Sequence, residues 1–288
     1  MERQPLAGKT LFITGASRGI GLAIAERAAR DGANIAIAAK TTEPHPKLPG
    51  TIHSAAEAVE AAGGRALPLV CDIRDPEQID AAVARTVEAF GGIDICVNNA
   101  SAISLTGTLA TEPKRYDLMH QINARGTFLV SRACIPHLRK APNPHVLNLS
   151  PPLDLNPAFF APHAAYTLAK FAMSLYAMAM AVEFRRDGIA FNTLWPRTMI
   201  ATAALQAIPG ASTMVSQSRT PAIMADAAHH ILVQDSRSFT GQHCIDDLVL
   251  ASAGIRDLSG YRQTPGDGRL ADDLFIPASM PPPPDITI

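Results

Sequence analysis

The chain has 288 residues, 47% of them hydrophobic, with 25 Lys and Arg against 26 Asp and Glu for a formal net charge of −1. Length and apolar content are enough for one large α/β domain with a well-buried core. A surface this close to neutral excludes nucleic acid as a partner, because backbone phosphate binding needs a basic face.

The first residues, Met1-Glu2-Arg3-Gln4-Pro5, are polar and the first apolar run is short, so no signal peptide is expected. No apolar stretch of the ~18 residues that a membrane span needs is read either. Residues 9–13 form a short apolar strand that runs into Thr14-Gly15-Ala16-Ser17-Arg18-Gly19-Ile20-Gly21. A helix over 20–30 follows, with Ile20, Ala23, Ile24 and Ala28 on one side and Glu26, Arg27 and Arg30 on the other. Gly32 ends it, and a second strand covers 34–39. Strand, glycine loop, helix and strand make the βαβ unit that binds a dinucleotide. Its glycines allow a tight turn, close approach of backbone to pyrophosphate and close helix packing, and the helix N-terminus offers unpaired amides to the anion.

Strand-like runs recur at 66–71, 93–97, 145–149, 189–194 and 244–250, separated by helical patterns. This alternation predicts an α/β fold, a Rossmann-type doubly wound parallel sheet of about seven strands with helices on both faces. Ligands of such sheets bind at the carboxyl ends of the strands, where Gly15, Asp72, Asn98, Ser150 and Trp195 fall. Residues 1–250 therefore read as a single dinucleotide-binding and catalytic domain, and 251–288 as an irregular Pro/Gly-rich C-terminal extension. Pro281 to Pro284 can continue neither a helix nor a central strand, so the extension is draped over the domain, disordered, or in reach of a neighbouring subunit. The connection 40–53, with Pro44, Pro46 and Pro49, either closes over the adenosine end of a cofactor or is a surface elaboration. The segment 198–219 is mostly apolar through Met199, Ala203, Ala204, Leu205, Ile208 and Met214. It suits a lid over an apolar substrate, or a packed helix.

Tyr166 and Lys170 are four residues apart and so share a helix face. A free tyrosine ionises near pH ~10, and an ammonium fixed nearby favours the phenolate, which brings the phenol into a useful range for acid/base chemistry. The run 171–182 is apolar nearly all round, the pattern of a helix buried on several faces. Cys71, Cys96, Cys134 and Cys244 lack metal-ligand spacing and read as buried thiols in a reducing compartment. The nine histidines show no ligand pattern. No metal site is expected, and a cytoplasmic location is.

The spacing of Gly15, Gly19 and Gly21, Cys71-Asp72-Ile73, Asn98-Asn99-Ala100 with Ser101 in place of a glycine, and Tyr166-x-x-x-Lys170 together resemble the short-chain dehydrogenase/reductase family over roughly residues 7–250. The resemblance implies that Tyr166 gives its proton to a carbonyl oxygen as the nicotinamide delivers hydride, or the reverse for an alcohol. Lys170 then lowers the tyrosine pKa and binds the nicotinamide ribose, and Asn123, in a helix over 116–138, holds a water linking Lys170 to solvent. Cofactor contacts are implied at Gly15, Ser17, Arg18, Gly19, Ile20, Gly21, Asp72, Ile73, Asn99, Ala100, Tyr166, Lys170, Pro196, Ile200 and Thr202. Among these Asp72 faces the adenine, and Ile200 and Thr202 the nicotinamide amide. The family's equivalent of helix 171–182 packs between subunits, which implies a homodimer or homotetramer. Lys40 at the end of the second strand and Arg18 in the glycine loop put two cations and no acid at the ribose, which favours NADP over NAD. Glu43 lies beyond the usual acidic position.

One part of the family's catalytic set departs. Asn148-Leu149-Ser150-Pro151-Pro152 stands where members commonly read Asn-Ile-Ser-Ser, so Ser150 matches the first serine and Pro151 takes the place of the second, which binds the substrate oxygen. Either Ser150 polarises the carbonyl, or another group such as a backbone amide does, or the chemistry is weakened; His163 is a candidate substitute. The expected function is hydride transfer between NADP(H) and a carbonyl or secondary alcohol of an apolar small molecule. The alternative is a cofactor-binding scaffold or sensor of the same fold with little redox activity.

Overall fold

The computed structural model describes residues 4–44, 48–206 and 212–287; Pro46 and Ile208, assigned above to the proline-rich loop and the lid, lie outside them. Seven strands form the core: β1 (Thr10–Thr14), β2 (Asn34–Ala39), β3 (Arg65–Val70), β4 (Ile95–Asn98), β5 (His145–Asn148), β6 (Ala190–Trp195) and β7 (His243–Ile245). They make one sheet in the order β3-β2-β1-β4-β5-β6-β7 with every pairing parallel. The strand order reverses between β1 and β4, which opens a crevice at their carboxyl ends.

Helices α1 (Gly19–Ala29), α2 (Ile52–Ala61), α3 (Pro76–Phe90), α4 (Pro113–Met119), α5 (Thr127–Leu138), α6 (Pro157–Phe160), α7 (Ala164–Glu183), α8 (Ala203–Gln206), α9 (Ser212–Ser216), α10 (Ala222–Leu232) and α11 (Asp246–Ser252) complete the chain. Because side chains alternate across a strand, β1 feeds two cores. Leu11 and Ile13 pack with Ile24 of α1, Val59 of α2 and Ile223 of α10. Phe12 packs on the other face with Val83 of α3, Val130 of α5 and Ala177 of α7. A third, smaller cluster at the carboxyl edge joins Met119, Tyr166, Ala169, Phe171, Trp195 and Phe275.

Three features differ from the sequence reading. The helix expected around Asn123 is continuous only because α4 and α5 are joined by a π-wound stretch, His120–Gly126, a wide turn that recurs at functional sites. The last strand stops at Ile245 and does not continue to 250. There the Asp246 carboxylate accepts the backbone N–H of Arg197 at 2.9 Å and of Asp247 at 2.8 Å, which turns the chain into α11. Helix α7 is, by length and composition, long and apolar enough to cross a membrane, contrary to expectation; 56% of that window is buried inside the fold, the position of a core helix.

The C-terminal extension takes one of the arrangements read from its sequence and is draped over the domain. The N–H of Asp273 donates to Arg197 O at 2.8 Å and that of Met199 to Ala271 O at 2.9 Å, around an antiparallel bridge between Thr198 and Asp272. The Arg197 guanidinium pairs with Asp247 and also reaches Met280 O at 3.0 Å and Pro281 O at 3.2 Å.

Candidate active site

The glycine loop is built by lacing the end of β1 to the end of β4. Asn99 Nδ2 donates to Thr14 O at 2.9 Å and Gly15 O at 3.1 Å, while Thr14 Oγ1 accepts the N–H groups of Asn99 and Ala100 at 3.0 and 3.1 Å. The approach is so close that a Cβ on Gly21 would lie 2.4 Å from Asn99 Nδ2, and one on Gly15, whose φ is +67°, 2.9 Å from Ala100 Cα. Among the described residues no side chain caps the N-terminus of α1 and no acid stands in its first turn, so its amides face the loop without a partner there. Backbone donors at a positive helix end, above a cradle that only glycine allows, fit the pyrophosphate of a dinucleotide. Ser17 is buried beside this cradle, Ile20 packs on the core beneath it, and Thr202 Cγ2 stands 3.6 Å from where a Cβ on Gly19 would be.

The adenosine end is more occupied than the sequence suggested. Asp72 is held by Arg74 and, at 3.7 Å, by Lys40; the Arg74 hydrogen bonds, followed by the charges of Lys40 and Arg74, bring its carboxyl down to about 2. Arg18 Nη2 donates to Gly50 O at 2.8 Å, and its buried Nε has no hydrogen-bond partner among the described residues. Gly50 lies against Ser17 O so closely that a Cβ would come within 2.4 Å. Within the described residues the proline-rich connection thus folds over the glycine loop. Ile73 packs against Gly126 of the π-wound stretch, where an added Cβ would meet its Cδ1 at 2.6 Å.

Tyr166 and Lys170 lie one turn apart on α7 and are 4% and 3% exposed. Lys170 Nζ donates to Leu149 O at 2.8 Å and sits 5.4 Å from the centre of the Trp195 ring. Burial lowers its pKa to about 7, opposed by the charge of Asp273. For Tyr166, burial and then the Asp273 charge raise the pKa, a direction opposite to the acidification expected from its neighbour.

Asn123 is fully buried, and its amide grips Ala102 reciprocally: Oδ1 accepts Ala102 N–H at 2.8 Å and Nδ2 donates to Ala102 O at 2.9 Å. The side chain therefore holds the chain beyond β4 against the π-wound turn. Pro196 and Ile200 are buried just after β6.

Ser150 is not brought to Tyr166. Its hydroxyl is fully buried and hydrogen-bonded to Ser174 Oγ at 2.9 Å, and Ser174 lies two turns beyond Tyr166, about 12 Å along the helix at ~1.5 Å per residue. Proline at 151 supplies only its carbonyl, which accepts from Ser174 at 2.6 Å. His163 does not replace the donor. Thr167 Oγ1 gives its hydrogen to Phe159 O at 2.9 Å or His163 O at 3.2 Å, so His163 Nδ1, 3.0 Å away, is the donor of that pair. In the neutral ring, favoured by burial, Nε2 is then an acceptor only.

Residues the sequence reading passed over come from the extension. Phe275 packs against Tyr166 with ring centres 6.1 Å apart, and Trp195 Nε1 donates to Leu274 O at 2.7 Å. Asp273, whose pKa burial raises to about 8, acts electrostatically on both Tyr166 and Lys170. The apolar triplet Leu274-Phe275-Ile276 was the signal available in sequence.

The fold, the glycine cradle and the buried tyrosine and lysine define a dehydrogenase of the dinucleotide-binding class. The family model described as short chain dehydrogenase matches residues 9–211, and the chain belongs to that family. It is 59% identical over 267 residues to hydroxysteroid dehydrogenase-like protein 2 of Danio rerio, covering 93% of this chain. The chain spans 64% of the length of that relative. A crystal structure from Xanthomonas campestris superposes with a TM-score of 0.91 at 61% identity, covering 94% of this chain and 99% of that one. A short chain dehydrogenase from Mycobacterium thermoresistibile does so with a TM-score of 0.91 at 53% identity, covering 98% and 99%.

Proposed function

We propose that this oxidoreductase uses NADP(H) and reduces the carbonyl of an apolar small molecule, with Tyr166 as proton donor. The observation that carries the reading is the burial of Tyr166 one turn from Lys170, in the apolar cluster of Phe171, Trp195 and Phe275 at the carboxyl edge of the sheet, where burial favours the neutral phenol. When bound, the cofactor supplies the hydride that reaches the carbonyl carbon. Tyr166 Oη donates a proton to the carbonyl oxygen, which requires the phenol form that burial maintains. Lys170, fixed by Leu149 O, stands one turn away on the same face, where its cation stabilises the phenolate left behind and its ammonium can bond ribose hydroxyls. Asn123 keeps the β4 extension in place beside them. Apolar walls exclude water from the reacting atoms, which strengthens these charge interactions.

NADP is preferred in this reading because Arg18 lies in the glycine loop and Lys40 directly follows β2, while Asp72 is already paired with Arg74 and Lys40. The four cysteines are free and buried, which supports a reducing, cytoplasmic setting. Single-turnover oxidation of bound NADPH by a panel of hydrophobic aldehydes and ketones tests the function: turnover in the wild type and its loss in Tyr166→Phe is expected, and turnover by neither identifies a binding protein instead.

A further inference from the structure

Phe275 is the most connected aromatic residue of the carboxyl-edge cluster. Its ring centre lies 6.0 Å from that of Phe159, 5.6 Å from His163, 6.1 Å from Tyr166, 5.6 Å from Phe171 and 5.9 Å from Trp195. It is 3% exposed, although it belongs to an extension with little regular structure. Two observations separate it from ordinary core packing. Its cluster is distinct from the two that sandwich the sheet and takes only Trp195, the last residue of β6, from any strand. Its backbone is also left-handed, with φ +66° in a residue that is not glycine. That conformation is unfavourable for a residue with a bulky side chain and persists only where the surroundings over-determine it.

The surroundings do so on both sides of the residue. Trp195 Nε1 holds Leu274 O, and the backbone of 271–273 is bonded to Arg197 and Met199, the stretch that leads to Ile200 and Thr202. The same backbone thus orders the segment after β6 and drives the Phe275 ring onto Tyr166. Tyr166 is buried and Phe275 packs against its ring, so a substrate that reaches Tyr166 Oη has to be accommodated beside Phe275.

We propose that Phe275 is a specificity-determining wall of the substrate site, and that it restricts the second substituent on the carbonyl carbon so that aldehydes and slender ketones are accepted and bulky ketones refused. The proposal rests on the reading of Tyr166 as the proton donor. Shortening the side chain keeps every backbone bond that pins the extension, so Phe275→Ala opens volume beside Tyr166 without releasing the strap.

The experiment compares kcat/KM for NADPH-dependent reduction of benzaldehyde, acetophenone and benzophenone, in which the second substituent grows from hydrogen to methyl to phenyl. The wild type is expected to favour benzaldehyde. Phe275→Ala is expected to raise the benzophenone-to-benzaldehyde ratio at least tenfold, and Phe275→Leu, which disturbs folding less, to raise it by an intermediate factor. An unchanged ratio in both variants, or benzophenone still without detectable turnover, overturns the proposal: loss of packing alone lowers the melting temperature and scales all three substrates together. Tyr166→Phe is run alongside. If it retains wild-type turnover the proton-donor reading fails instead, so the two failures are told apart.

Discussion

Ser150 and Ser174 exchange a hydrogen bond of 2.9 Å inside the protein, so the serine that matches the family's motif braces α7 against the end of β5. A donor aimed at the substrate oxygen is worth ~10²–10³ in rate; a buried structural hydrogen bond contributes about 1 kcal/mol of stability. Ser150→Ala is therefore expected to lower kcat by less than tenfold while reducing thermal stability. A loss of a hundredfold or more at unchanged stability would place Ser150 in the chemistry.

The ribose site predicts cofactor choice. NADPH is expected to bind at least tenfold tighter than NADH by fluorescence titration. The double variant Arg18→Ala, Lys40→Ala should bring the two affinities within about threefold, since it removes the cations proposed to meet a 2′-phosphate. Equal affinities in the wild type would contradict the assignment. The exposed Lys40 is paired with Asp72 at 3.7 Å, a contact weak enough at the surface to be exchanged for phosphate.

The outer face of α7 presents Leu168, Leu175, Met178 and Val182, which are 49, 48, 47 and 68% exposed. Spacings of seven, three and four residues put them in one stripe, next to the half-exposed Phe128 of α5. An apolar stripe of this size calls for a partner, and a homodimer or larger assembly is expected by light scattering at micromolar concentration. Leu175→Glu with Met178→Glu should reduce the mass to that of a monomer; a wild-type monomer would refute the expectation.

Asp273 gives stability a pH dependence with a definite sign. Its carboxyl is raised from 3.8 to about 8, chiefly by burial and then by the charge of Asp246, against the opposing charge of Lys170. The folded state thus holds a proton that the unfolded state has lost between those pH values, and this contribution to stability falls as pH rises from about 4 to about 8. Asp273→Asn removes it. Relative to the wild type, the variant's melting temperature should be higher at pH 8 than at pH 5, by at least ~2 °C for a domain of this size. A difference independent of pH would show that Asp273 is ionised throughout.

Much of this molecule was legible in its sequence because the responsible signals are local. The buried parallel strands are apolar along their length, and Gly15, Gly19 and Gly21 occupy positions set by turn geometry and close approach, so sheet and cradle could be placed from spacing. Tyr166 and Lys170 were found for the same reason, as neighbours on one helical face. What the sequence did not disclose depends on distant contacts. That Ser150 meets Ser174 follows from how β5 docks on α7, and the burial of Tyr166 depends on Phe275, more than a hundred residues later. The short β7 depends on Asp246 accepting Arg197 N–H across the sheet edge, a bond with no mark in the local pattern. The extension reads as irregular because many of its backbone partners are distant in sequence, among them Arg197, Met199, Gln217, Ser218 and the Trp195 indole.

The proton-donor assignment of Tyr166 is tested most directly by stopped-flow, single-turnover oxidation of enzyme-bound NADPH on mixing with an aldehyde that the wild type reduces. Tyr166→Phe keeps the ring that packs against Phe275 and removes only the hydroxyl. The account predicts unchanged NADPH binding and a hydride-transfer rate at least ~10²-fold slower, the scale of a positioned general acid. A variant that oxidises bound NADPH at the wild-type rate would contradict it.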